Sequence, residues 1–276
     1  MTKKLWKTFV TLAMFCLFCC LITLTSSAAN PKRVTLKPGT TYTKYDITGD
    51  GKADTIQIST TKDAYDVYTG FSLKINGKSA FTVRNDHFYS TDIKLYTLQN
   101  KKVFVYLYLE ADNYDGPACG LFKYSNGRLK QVVNFQNFFK YGMHNCGKVT
   151  SVSKNTLKVE LYSMSWAFGP TTLKYTFKYK NGTLVPASRI GKVSVNAIGS
   201  KYGTAKQSIQ LYRTATSNRK KLKITAGQRF KITDCYVKGS NIRFKVKLSN
   251  GKTGWLKSPK KYFSNGPFIS ESFYAG

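Results

Sequence analysis

Acidic residues are scarce. Thirteen Asp and Glu stand against 44 Lys and Arg, which leaves the 276-residue chain at +31. Such a chain attracts polyanions and has few carboxylates to spend on acid–base pairs. Only Glu110 and Glu160 precede Glu271 among the glutamates, and they read as surface strand residues rather than as a glycosidase pair. Histidine is scarcer, with His87 and His144 alone. His144-Asn145-Cys146 could be half a metal site, but no second pair supports it. Methionine is limited to four residues against 19 Tyr and 18 Phe. With no convincing amphipathic helix, this balance points to strands. After residue 30 no apolar run is long enough to span a membrane, and no sortase-type motif closes the chain.

What is there begins with an address. Lys3, Lys4 and Lys7 precede an uncharged stretch from Phe9 to Leu24, followed by Ser26-Ser27-Ala28-Ala29. The stretch falls short of the roughly 20 residues of a spanning helix. It resembles a secretory signal peptide over 1–29, with an uncleaved anchor as the alternative. The expected location is therefore secreted or wall-associated. Cleavage removes Cys16, Cys19 and Cys20 and leaves Cys119, Cys146 and Cys235. An odd count excludes complete internal pairing. In an exported chain Cys119 with Cys146 is the expected disulfide, and Cys235 is left over in a buried strand.

Short strand-forming runs separated by Asn-Gly imply hairpins with type I′ turns. One hairpin recurs. Phe122-Lys123-Tyr124-Ser125-Asn126-Gly127-Arg128-Leu129 returns as Phe177-Lys178-Tyr179-Lys180-Asn181-Gly182-Thr183-Leu184, with a fainter echo at Leu73-Lys74-Ile75-Asn76-Gly77-Lys78. A supersecondary unit used about three times is the simplest reading. The charge then shifts: residues 30–185 hold 22 basic and 11 acidic side chains, residues 186–276 hold 19 and 2. This places a boundary near Val185-Pro186-Ala187-Ser188. The expected fold is all-β: a hairpin-repeat domain over 30–185 (sandwich or partial propeller-like), a linker over 186–200, a small barrel over 201–263 and a tail over 264–276.

Two segments resemble known families. Ile209-Gln210-Leu211-Tyr212-Arg213-Thr214, Gly227-Gln228-Arg229-Phe230-Lys231-Ile232, Ile242-Arg243-Phe244-Lys245-Val246 and Ser249-Asn250-Gly251-Lys252-Thr253-Gly254-Trp255-Leu256 follow the order of a bacterial SH3-like domain. The resemblance implies a small barrel that binds peptidoglycan or another wall polymer without catalysis. Tyr212, Arg213, Phe244 and Trp255 are the candidate ligand-binding residues, aromatic platforms beside a cation. Asp46-Ile47-Thr48-Gly49-Asp50-Gly51-Lys52-Ala53-Asp54 resembles the calcium loop of FG-GAP-like and dockerin-like repeats. That resemblance implies structural calcium held by Asp46, Thr48, Asp50, the Lys52 carbonyl and Asp54, because a hard cation takes six to eight oxygens around a tight turn.

A Cys-dependent wall hydrolase is the rival reading. Ala118-Cys119-Gly120-Leu121-Phe122 is similar to a cysteine-peptidase signature but has Ala where that signature has Asp, and the repeat equivalent of Cys119 is Lys174. Nucleic-acid binding suits the charge, yet an exported cation meets wall polyanions first. The expectation is an exported, non-catalytic binding protein for peptidoglycan or a teichoic-acid-like polymer. Nucleic acid is not its primary partner, and it keeps no stable membrane span after signal cleavage.

Overall fold

Alternating sequence and Asn-Gly punctuation resolve into twenty antiparallel strands and no α-helix in the computed structural model, which describes residues 32–112, 115–261 and 266–274. The signal-peptide expectation for 1–29 lies outside these residues.

Strand β1 (Lys32–Leu36) precedes three successive four-stranded meanders. The first is β2 (Thr41–Tyr45), β3 (Asp54–Lys62), β4 (Tyr68–Ile75) and β5 (Lys78–Phe88). The second is β6 (Ser90–Thr97), β7 (Val103–Glu110), β8 (Ala118–Ser125) and β9 (Arg128–Asn134). The third is β10 (Gly142–Ser153), β11 (Thr156–Ser165), β12 (Gly169–Lys180) and β13 (Thr183–Pro186). β1 widens the second by pairing with β6. Each meander ends in an Asn-Gly turn with positive φ at both residues: 51° and 76° at Asn76-Gly77, 53° and 77° at Asn126-Gly127, 50° and 80° at Asn181-Gly182. This is the type I′ geometry whose twist matches the flanking strands, and Asn and Gly tolerate it best. The recurring hairpin of the sequence is thus the closing hairpin of each meander.

The second meander lies between the other two. One of its faces, with Ile93, Leu95, Val105, Leu107 and Leu109, shares a core with Ile56, Ile58, Phe71 and Leu73 of the first. Its other face, with Tyr96, Phe104, Tyr106, Cys119 and Leu121, shares a core with Leu157, Val159, Leu161, Leu173 and Phe177 of the third. A strand buried on both faces needs apolar residues at nearly every position, which is why β7 reads Val-Phe-Val-Tyr-Leu-Tyr-Leu. Burying each such large side chain contributes about 1.5–3 kcal/mol.

The chain continues as β14 (Ile190–Val195), β15 (Gly203–Thr204), β16 (Ile209–Tyr212), β17 (Lys220–Ile224), β18 (Arg229–Lys238), β19 (Asn241–Leu248) and β20 (Thr253–Lys257). Three sequence expectations change here. The interval expected as a linker, 186–200, contains β14, which pairs with Thr171–Lys174 of β12 on one side and with β18 on the other. β13 covers only the Phe177–Lys180 part of the β12 edge; β14 fills the rest, so one sheet runs across the expected boundary. The barrel expected over 201–263 is instead an open run, β14-β18-β19-β20-β16-β17, and no sheet among the described residues closes on itself. The expected tail is packed: Phe268 and Ile269 are buried, Ile269 bridges Ala205, and the Ser272 hydroxyl donates to the Phe168 carbonyl at 2.7 Å. Phe168 is the hub, edge-on to Phe268 at 6.2 Å and to Phe244 at 4.9 Å.

Candidate functional site

Strand periodicity sorts the C-terminal sheet into two faces. Phe244, Leu256 and Leu211 face the core. The opposite face carries a cross-strand row: Lys192 of β14 stands opposite Asp234 of β18, Asp234 opposite Lys245 of β19, Lys245 opposite Trp255 of β20, Trp255 opposite Tyr212 of β16, and Tyr212 opposite Lys220 of β17. A second row runs Ile190, Tyr236, Arg243, Lys257. Five cations and three aromatic rings therefore share one face with a single carboxylate in these rows. That carboxylate is already engaged: Lys192 Nζ lies 2.7 Å from Asp234. Burial pushes the Asp234 carboxyl up, but Lys192 and the Thr233 hydroxyl outweigh it and hold it below its ordinary 3.8.

Arg243 organises the centre of this face. It is only 3% exposed and pairs with no carboxylate. Its guanidinium donates to the Ser217 carbonyl at 2.6 Å and to Asn218 Oδ1 at 2.8 Å, which ties the loop between β16 and β17 down over the sheet. Under that loop Trp255 packs with Ala215 and Tyr236. Tyr212, half-buried, has the Arg243 guanidinium 5.0 Å and the Lys257 ammonium 4.9 Å from its ring centre. Two cations on one ring are each stabilised by its quadrupole. Burial also draws the Arg243 guanidinium below its usual value, against the effect of Tyr212.

Of the four ligand-binding residues expected from sequence, Tyr212 and Trp255 are cross-strand neighbours with Arg213 beside them, and Phe244 is set apart. Phe244 is 0% exposed and lies on the core side against Phe168 and Phe139, so it cannot touch a ligand on this face. Trp255 is 9% exposed and acts as a floor beneath the loop. Tyr212 is at the surface of the row and Arg213 is exposed at the start of the loop. The sequence reading missed Lys192, Lys220, Lys245, Lys257 and Tyr236. A signal was present, because Arg243-x-Lys245 and Trp255-x-Lys257 repeat with the period of one strand face.

The Asp46–Asp54 loop joins β2 to β3. Its carboxylates are engaged by the loop's own donors. Asp46 accepts from Gly49 N at 2.6 Å and Gly51 N at 2.9 Å. Asp50 accepts from Lys52 N at 2.8 Å. Asp54, 2% exposed, accepts from Ile47 N, Thr48 N and Asn76 Nδ2 at 2.6–2.8 Å, and Thr48 Oγ1 is 3.3 Å away. Gly49 and Gly51 supply the φ of 80° and 88° that the tight path needs. Among the described residues no group of three His, Cys, Asp or Glu side chains could hold a metal ion. Thr48 Oγ1 also lies 3.5 Å from Asp46 Oδ1, so Asp46, Thr48 and Asp54 converge within the turn, and the loop's own donors hold the carboxylates.

Cys119 and Cys146 are brought together, as thiols, with their sulfurs 3.6 Å apart. Cys235 is fully buried, as expected. Glu160 faces solvent between Lys148 and Lys174, at 3.7 and 3.1 Å. No helix among the described residues is long and apolar enough to cross a membrane. Compared with protein-family models, with curated proteins and with solved structures, the chain gives no match.

Proposed function

We propose that this is an exported, non-catalytic binding protein of the cell envelope, and that the outward face of the C-terminal sheet holds an anionic wall polymer of the peptidoglycan or teichoic-acid class. The observation that supports this reading is the unbalanced face: Lys192, Lys220, Arg243, Lys245 and Lys257 with only Asp234 to oppose them. The first row crosses six strands, which at about 4.8 Å per step is roughly 24 Å. That length suits an extended polymer better than a small molecule. Arg243, buried under the loop with neutral acceptors only, adds positive potential from beneath rather than a contact, and Tyr212 adds an apolar flat at the surface. Calcium, if held by the Asp46–Asp54 loop, would have a structural part away from this face.

The test uses the full chain and purified sacculi, with and without teichoic acid. Replacing Lys220, Lys245 and Lys257 together by Gln should abolish sedimentation with little change in melting temperature. Binding lost only when teichoic acid is stripped assigns the phosphate polymer; binding kept assigns peptidoglycan. Adsorption that vanishes between roughly 0.1 and 0.5 M salt is unspecific, since the Debye length falls from about 10 Å to about 4 Å. Undiminished binding by the triple variant would refute the assignment of this face. Release of soluble muropeptides that Cys119→Ser abolishes would favour the hydrolase.

A further inference from the structure

A second site lies between the second and third meanders. A cleft of about 350 Å³ is lined by Tyr106 and Tyr108 of β7, by Cys146 and Lys148 of β10, and by Glu160 of β11. β10 is irregular here. Its register with β11 shifts between Met143 and Cys146, and His144 adopts φ 53°. Such a bulge re-aims the residue beside it. Asn145 Nδ2 fixes the bulge by donating to the Gln136 and Phe139 carbonyls at 3.0 and 3.1 Å. Beneath the cleft wall lies Cys119 of β8, 0% exposed, with its sulfur 3.6 Å from that of Cys146 and accepting from Gly147 N at 3.3 Å. The Tyr106 hydroxyl holds the Gly147 carbonyl at 2.9 Å. The Tyr108 hydroxyl, on the cleft wall, is buried beside the Cys146 sulfur and helps to draw that thiol down.

We propose that Cys119 and Cys146 form a redox-active dithiol, in which Cys146 exchanges with an incoming small or peptide disulfide through the cleft and Cys119 resolves the adduct. The two sulfurs are chemically unequal. The Cys119 thiol donates toward Cys146, which pushes the Cys119 thiol up and draws the Cys146 thiol down. Cys146 is also the one that lines the cleft. A thiolate is the attacking species in exchange. Cys146 loses its proton to solvent and attacks one sulfur of the incoming disulfide. That S–S bond breaks, a mixed disulfide forms on Cys146, and the first thiolate leaves and is protonated. That proton comes from solvent. Cys119 then loses its proton and attacks the Cys146 sulfur, expelling the second thiolate. Two protein thiols are oxidised by two electrons, and one disulfide is reduced to two thiols. The product links β8 to β10 and so ties the middle layer covalently to the outer one.

The experiment uses the reduced full chain, oxidised glutathione as the probe, and peptide-resolved mass spectrometry. In Cys119→Ser, Cys146 should accumulate a lasting glutathione adduct. Cys119→Ala, which keeps the site apolar, serves if the hydroxyl disturbs packing. In Cys146→Ser, Cys119 should react at least about a hundredfold more slowly than Cys146 does, because it is buried and protonated. The unaltered chain should end as a Cys119–Cys146 disulfide without a lasting adduct, and dithiothreitol should reopen it without unfolding. Cys119 reacting as fast as Cys146, an inert Cys146 in both Cys119 variants, or a disulfide reducible only on unfolding would overturn the proposal.

Discussion

Replacing Asp54 by Ala should destabilise the protein strongly and without regard to calcium. The carboxylate sits 2% exposed at the start of β3 and accepts three hydrogen bonds of 2.6–2.8 Å. Two are from backbone amides of the loop; the third is from Asn76, in the turn that closes the same meander. Bonds to a charged acceptor are worth about 1.5–3 kcal/mol each and do not add fully. Truncation also strands the buried Ile47 N–H, at about 1–3 kcal/mol. A loss of about 4 kcal/mol follows, which for a chain of this size lowers the melting temperature by about 10 °C. Asp50, exposed and bonded only to Lys52 N, should cost less than about 1 kcal/mol on replacement by Ala. The swap Asp54→Asn with Asn76→Asp separates hydrogen bonding from charge. Asp54→Asn alone sets an amide N–H against the Asn76 N–H. The second change puts an acceptor there instead, and a carboxylate at position 76 can still receive Thr55 N, as the Asn76 side chain does at 2.8 Å. The double variant should recover at least half of the single variant's loss in a denaturant melt. An Asp54→Ala loss seen only in the presence of calcium, or one under about 1 kcal/mol, would refute the turn argument and restore the cation as the organiser of the loop.

Two further outcomes follow from the C-terminal sheet. The fragment 186–276 should not fold on its own as a monomer, because it lacks the β12 edge for β14 and leaves Phe244 without Phe139 and Phe168; a two-state melt of the isolated fragment would contradict the continuous sheet. The Lys192–Asp234 pair should make stability acid-sensitive. Asp234 is held below 3.8 in the folded state, so its contribution is complete above the unfolded value and is lost as pH falls through the folded one. Asp234→Asn should therefore flatten the fall in melting temperature below about pH 4, and an unchanged slope would exclude the pair as its source.

Much of this architecture is written in local sequence. Asn76-Gly77, Asn126-Gly127 and Asn181-Gly182 sit where the backbone takes positive φ twice in a row, a requirement so local that a dipeptide satisfies it. The alternation of Arg243, Lys245 and Lys257 against Phe244 and Leu256 is also readable once the strand is known. The charge shift after residue 185 is equally plain, but it marks a change in what the exposed face carries rather than a break in the sheet. The pairing of β14 with β12 and β18 depends on an edge that β13 leaves open, and no residue of β14 announces it. The hydrogen bond from Asn76 to Asp54 spans 22 positions, so neither motif on its own reveals the other.

Cys119 and Lys174 draw the line most clearly. They occupy equivalent positions in two copies of one hairpin, and the sequence by itself determined that hairpin, its turn and its strand period. Cys119 is sealed between two layers, whereas Lys174 faces Glu160 at the surface, 3.1 Å away. The cause is stacking: the second meander has a neighbour on both faces and the third on only one. Local sequence specifies the alternation of side chains along a strand, but which face meets another sheet is a property of the assembled layers. Only the tertiary structure could decide that one copy would bury a thiol beside Cys146 while the other exposes a charge.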